Sequence, residues 1–240
     1  MDNMNLDQHI SKQFNSDLEK LRTAVLEMGG LVEGQLADAV KSIETGDLTL
    51  AQKVRDTEAE VNEREVTIDA ECTEVLARRQ PAASDLRLVL IVSKAIRDLE
   101  RVGDESSKIA RMTIEIGDEE SIPEGFHELR HMSSNVQKML NAALDAFARF
   151  DVPAALKVMR EDKHVDREYK SAIREMVTMM MEDPRSISRV LNIIWSLRAL
   201  ERIGDHARNI AEHVIYLVRG TDVRHTSIKE IERQLDSPSQ

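Results

Sequence analysis

The chain is poor in almost everything that builds sheets, membrane spans or redox frameworks. Aromatic residues make up only 3% of its 240 residues, with nine glycines and five prolines. Sandwiches and barrels need many turn residues and many aromatic or β-branched positions, so both are excluded. Cys72 is the single cysteine, which excludes an intrachain disulfide and any cysteine-based zinc cage. The longest unbroken apolar run, Leu88 to Val92, falls far short of the roughly 18 to 20 residues of a membrane span. The first dozen residues carry neither the basic nor the apolar region of a secretory signal, so a soluble protein in a cytoplasmic setting is expected. Clustered bases are missing too. With 33 Lys and Arg against 44 Asp and Glu the formal charge is −11, which argues against nucleic acid and against an anionic membrane surface as partners. Nor is there a Gly-x-Ser-x-Gly elbow, a Walker-type phosphate loop or a Rossmann glycine fingerprint. What remains, 41% hydrophobic and 32% charged residues, is the composition of long amphipathic helices.

Proline punctuates the chain at Pro81, Pro123, Pro153, Pro184 and Pro238. Between these positions the helical period predicts six helices, over 12–45, 47–79, 83–116, 124–149, 151–182 and 184–219. Asp47, Asp151 and Asp183 are placed to cap three of them. Gly29 and Gly30 interrupt the first and weaken it locally.

Shifted by 104 residues, the sequence repeats itself. Met28, Val32, Leu36, Ala39, Asp47, Ala51, Val54 and Val61 meet identical residues at Met132, Val136, Leu140, Ala143, Asp151, Ala155, Val158 and Val165. Further on the offset becomes 101, and Arg97, Leu99, Glu100, Arg101, Gly103 and Asp104 meet Arg198, Leu200, Glu201, Arg202, Gly204 and Asp205. The expected fold is therefore all-α: two tandem three-helix bundles over 5–118 and 119–222, followed by a polar tail over 223–240.

The repeated blocks, RDLERVGDESSKIA and RALERIGDHARNIA, place Glu100 one turn from Asp104 and Glu201 one turn from Asp205. Projection around the helix turns these acids away from their own bundle's apolar stripe. One reading is a solvated face with Arg97, Arg101, Arg198 and Arg202 offsetting the charge. The other is a hard cation such as Mg²⁺, Mn²⁺ or iron, held by oxygen ligands that include acids of the preceding helix. Those acids are Glu58 with Asn62, Glu65 with Asp69, and Asp162 with Asp166. Glu58 and Asp162 interrupt apolar stripes and so require partners. The glycines of the blocks, Gly103 and Gly204, predict close packing.

Other features read as structure. Glu128 with His131 and Glu161 with His164 match the Glu-x-x-His spacing of di-iron proteins, but they lie in one repeat only and lack facing glutamates. His9, His127, His206, His213 and His225 read as surface residues, and Cys72 as a packed thiol. The methionines at 176–181 read as core or interface, and Trp195 as buried beside Ile193, Ile194 and Leu197.

The LERVGD and LERIGD blocks, the segment LARRQPAASDLR at 76–87 and DAFARFDVPAALKVMREDKHVD at 145–166 closely resemble the PhoU family of bacterial phosphate-transport regulators. The likeness runs from about Asn5 to His225. It implies a cytoplasmic, non-enzymatic, commonly self-associating protein of two three-helix bundles, expected here as a homodimer. Its implied partners are the ATP-binding subunit of the phosphate ABC transporter and a sensor histidine kinase, and its role is to keep the phosphate-starvation response off when phosphate is plentiful. It also implies surface metal, iron in particular, on Glu/Asp-x-x-x-Asp motifs. Glu100 with Asp104, Glu201 with Asp205, Glu65 with Asp69 and Asp162 with Asp166 match, whereas Glu58 with Asn62 departs from the pattern. Asp85, Arg87 and Arg149 are expected at partner contacts. The competing readings are a metal-dependent hydrolase or oxidase using the same carboxylates, and a purely structural scaffold.

Overall fold

A computed structural model describes residues 12–117 and 127–236. Its helices are α1 (Lys12–Thr45), α2 (Leu48–Arg79), α3 (Ala83–Ile116), α4 (His127–Arg149), α5 (Val152–Glu182), α6 (Ile187–Arg219) and α7 (Ile228–Asp236), with a 3₁₀ turn at Pro184–Ser186. The six expected helices are all present. The start predicted at 124, the boundary between 118 and 119, Pro123, Pro238 and His9 lie outside the described residues.

The matched aspartates act as matched caps. Asp47 accepts a hydrogen bond from Leu50 N and Asp151 from Ala154 N, both at 2.9 Å, which satisfies donors the first turn leaves open. Asp183 does the same for Arg185 N at 3.1 Å, but there it starts the 3₁₀ turn and α6 follows.

Helices α1, α2 and α3 pack on one another, as do α4, α5 and α6, and the two triads join mainly along α3 against α6, with α1 against α4 beside it. Arg87 of early α3 donates to Leu217 O at the end of α6, while Asp98 meets His206 and His213 and Glu105 meets Arg202. As residue numbers rise on α3 they fall on α6, so the two helices run antiparallel. Glycine sets the close approaches. A Cβ on Gly29 would lie 2.8 Å from Leu144 of α4, and one on Gly103 would lie 3.0 Å from Gln35 Oε1 and 3.2 Å from Val61. Far from breaking α1, Gly29 is where α4 crosses it. Gly204 is looser, at 3.5 Å from Val165.

Two expectations are corrected. Beyond Thr221 the chain is not simply a polar tail. Val223, Ile228 and Ile231 are buried, Arg160 of α5 pairs with Glu232, and α7 docks on α5. A nine-residue helix alone is marginal in water, and this one is held by its apolar face. Trp195 is 61% exposed rather than buried. Its neighbours Ile193 and Leu197 take the core positions and leave the indole on the outer face.

Candidate interaction face of α2, α3, α5 and α6

The repeated acids do face outward, along the seams between α2 and α3 and between α5 and α6; Glu100, Asp104 and Glu201 are half-buried there and Asp205 is exposed. Loss of water, then Asp104, push the Glu100 carboxyl above its usual range against the pull of Arg101, with Glu65 and Glu58 adding to the rise. Glu201 behaves alike, raised by loss of water and by Asp205, opposed by Arg198, and raised further by Asp166 and Asp162. Asp205 keeps more than a third of its surface in water, yet desolvation and then Asp166 raise it too. Each repeat thus brings its Glu-x-x-x-Asp pair within electrostatic reach of the acids of the preceding helix.

Arginines meet these acids. Arg101 lies 3.3 Å from Glu100 and 3.5 Å from Asp104, and Arg198 lies 2.8 Å from Glu201. Asp162, buried on its apolar stripe, has the partner it required in Arg208 at 3.1 Å. Loss of water raises its carboxyl nevertheless, with Arg208 pulling the other way. Asp69 accepts from Ser93 Oγ at 2.7 Å. Arg202, expected to offset its own repeat's acids, instead crosses to buried Glu105 at 2.6 Å. Among the described residues no group of three His, Cys, Asp or Glu side chains is placed to hold a metal ion. The donor set is chemically suited to a hard cation, but the arrangement, with arginines on the carboxylates, does not fit one.

The expected contact residues are differently placed. Arg149 is exposed, with Asp145 at 3.4 Å. Asp85 is buried in the first turn of α3. Arg87 is used within the chain, donating to Leu217 O at 3.3 Å and packing against Gly220, so it ties the first bundle to the end of α6. Neither Glu-x-x-His pair forms a di-iron centre: His131 contacts Glu168 at 3.1 Å, while His164 contacts Arg167.

The reading of the histidines is corrected by a cluster between the bundles. Asp98 lies 2.9 Å from His206 Nδ1 and 2.9 Å from His213 Nε2, and it accepts from Asn209 Nδ2 at 2.9 Å. Burial raises the Asp98 carboxyl, but bonds from His206, His213 and Asn209 outweigh it and hold the group at about 2. Positions 206, 209 and 213 share one helix face, which is the only trace of this cluster in the sequence. Their partner lies more than a hundred residues away on α3. Cys72 is buried as expected, and burial, then Asp69 and Glu71, push its thiol up to about 12, which leaves it unreactive.

No helix among the described residues is long and apolar enough to cross a membrane. The PhoU domain family matches residues 25–113 and again 129–214, one match per bundle. A phosphate-specific transport system accessory protein PhoU homolog of Pseudomonas aeruginosa is 60% identical over 232 residues, covering 97% of this chain and 96% of the relative. The phosphate-specific transport system accessory protein PhoU of Escherichia coli is 45% identical over 98% of this chain and 97% of its own. Among solved structures, PhoU from Pseudomonas aeruginosa superposes with a TM-score of 0.84 at 62% identity, covering 87% of this chain and 100% of that one. The phosphate transport system regulatory protein PhoU from Streptococcus pneumoniae gives 0.81 at 27% identity, covering 88% of this chain and 99% of that one.

Proposed function

Because the chain belongs to the PhoU family, we propose that it is a non-enzymatic accessory protein of a phosphate-specific transport system. The single observation that carries this is the near full-length similarity to relatives bearing that name, in both repeats at once. No observation favours the hydrolase or oxidase reading of the carboxylates.

The finer part of the proposal concerns partners. The chain acts as an adaptor between the ATP-binding subunit of the transporter and a sensor histidine kinase, and it keeps the phosphate-starvation response off in rich medium. It does so as a homodimer in the cytoplasm. An adaptor works by binding one conformation of its partner better than another, which requires outward surfaces held in fixed geometry. The acid faces along α2–α3 and α5–α6 have that character, and Arg149 supplies an exposed cation outside them. Iron, magnesium or manganese on these faces would have to displace Arg101 and Arg198 from Glu100 and Glu201.

The test replaces Glu100, Asp104, Glu201 and Asp205 with alanine. Burial and neighbouring acids raise the carboxyls of Glu100, Glu201 and Asp205, so their ionised forms cost stability, and none of the four acids lies in the core, so the variant keeps its fold at neutral pH. A phosphate-starvation reporter should then be switched on in phosphate-rich medium. A reporter that stays repressed with this variant removes the acids from signalling.

A further inference from the structure

On their solvent-facing sides α2 and α5 have drifted apart. Asp56, Glu63, Val66 and Ala70 of the first repeat match Arg160, Arg167, Lys170 and Arg174 of the second, all of them exposed. One surface row has not drifted. Along α3, Leu86, Leu90, Arg97 and Arg101 share a helix face, and their matches on α6 are Ile187, Leu191, Arg198 and Arg202. The four apolar members are exposed alike, Leu86 by 36%, Leu90 by 40%, Ile187 by 41% and Leu191 by 42%. One exposed leucine is ordinary, but the same pair kept in both repeats has no origin in the needs of a core. The two rows also lie on one face of the molecule. The pairs Asp98–Asn209 and Glu105–Arg202 place Gly103 across from Gly204, so the matched helices meet at matched glycines with a pseudo-two-fold axis between them. Two antiparallel helices are exchanged only by an axis normal to their common plane, which keeps both rows on the same side; α1 and α4 meet each other on the opposite side. Leu90 and Leu191 each lie about 20 Å along the helix from that axis, so the two apolar ends stand about 40 Å apart with the arginines between them.

We propose that the α3–α6 face docks a two-fold symmetric pair of identical partner subunits, one on Leu86 and Leu90 and the other on Ile187 and Leu191. The proposal rests on the adaptor reading and deepens it, because the two ATP-binding subunits of an ABC transporter form such a pair. Symmetry decides the occupant. Matched residues take matched surfaces, and two ends related by a pseudo-two-fold axis are satisfied together by two subunits that are themselves related by a two-fold axis. A single partner subunit would use one end and leave the other free to drift, as the outer faces of α2 and α5 have done. Joining both anchors in one chain makes the second contact intramolecular, so two modest apolar contacts add up to firm binding. The arginine rows keep the middle polar and confine apolar contact to the ends. Trp195, in place of Lys94, adds apolar surface beside the second end. A second copy of the chain laid on this face about the same axis would set Arg101 and Arg202 of each copy against those of the other. An anionic membrane would meet Glu100, Asp104, Glu201 and Asp205, which repel its headgroups.

The test uses the detergent-solubilised phosphate transporter with both ATP-binding subunits in place, and the full chain carrying the photo-crosslinker p-benzoylphenylalanine at position 90 or at position 191. The expected result is that both positions crosslink to the same segment of the ATP-binding subunit. Binding of the fluorescently labelled chain should weaken about tenfold or more with Leu86→Ser plus Leu90→Ser, and again with Ile187→Ser plus Leu191→Ser, each variant shown folded by circular dichroism. Crosslinks to different segments or to another subunit, or wild-type affinity in either double variant, overturn the proposal. So does a double variant that dissociates the chain from its own copies in sedimentation, or one that abolishes binding to phosphatidylglycerol vesicles, since either would give the face a different occupant. If the wild-type chain binds the transporter without this crosslinking pattern, the docking face is wrong and the adaptor reading survives. If the wild-type chain does not bind the transporter, both fall.

Discussion

At neutral pH Asp98 carries a buried negative charge shared among three side chains of α6. Its bonds to His206, Asn209 and His213 keep the carboxyl at about 2, against 3.8 for an unperturbed aspartate. A group whose folded value is depressed stabilises the fold above its unfolded value, and that stabilisation is lost as pH falls through the folded one. Asp98 thus contributes about 2 kcal/mol above pH 4, and the contribution disappears as pH falls from about 4 to 2. Asp98→Asn should lower unfolding stability in urea at pH 7 by about 1 to 3 kcal/mol. It should also flatten the acid limb of the stability profile between pH 4 and 2. A variant with wild-type acid sensitivity would remove Asp98 from the account. Single residues are also where the sequence was least legible. The histidines have no mutual ligand spacing because their common partner sits on another helix of another repeat. Trp195 has apolar neighbours because the chain winds the core past it, so local hydrophobicity misled.

Helices were far more legible, for a physical reason. Their apolar period is long, their caps are acidic and repeated, and their joints carry proline, so local and tertiary preferences agree. The glycine of the repeated block shows where the two copies part. At Gly204 an added Cβ meets Val165 at ordinary contact distance, so Gly204→Ala should gain up to about 1 kcal/mol of helix propensity, raising Tm by about 2 to 4 °C. At Gly103 the Cβ would press on Gln35, whose Nε2 is tied to Val54 O at 3.1 Å, and on Val61. There the crowding outweighs propensity, and Gly103→Ala should lower Tm in the same calorimetric measurement. Equal effects at the two positions would contradict the asymmetry. The acid seams were half legible: spacing placed two carboxylates on one face, but only the packed helices show which acids of α2 and α5 join them and that arginines occupy the space between.

The molecule as a whole is two copies of one bundle joined back to back along α3 and α6, with α7 as an added brace. Because Val223, Ile228 and Ile231 are buried, ending the chain after Gly220 should cost several kcal/mol, at about 1.5 to 3 for each fully buried side chain. Unfolding of the shortened chain in urea measures it, and an unchanged midpoint would mean that α7 contributes nothing. Ile228, Ile231 and Leu235 recur at helical spacing, but a nine-residue helix is marginal on its own and only its contact with α5 makes it stable, so its polar surroundings hid it. On this scaffold the acid seams of both repeats face outward. The proposed adaptor role requires the chain to bind the phosphate transport machinery. The most direct measurement is co-purification of the chain with the transporter ATP-binding subunit and the sensor kinase from cells grown in high and in low phosphate. Recovery of both partners, in amounts that change with phosphate, is the predicted result. Failure to recover either partner under both conditions would contradict it.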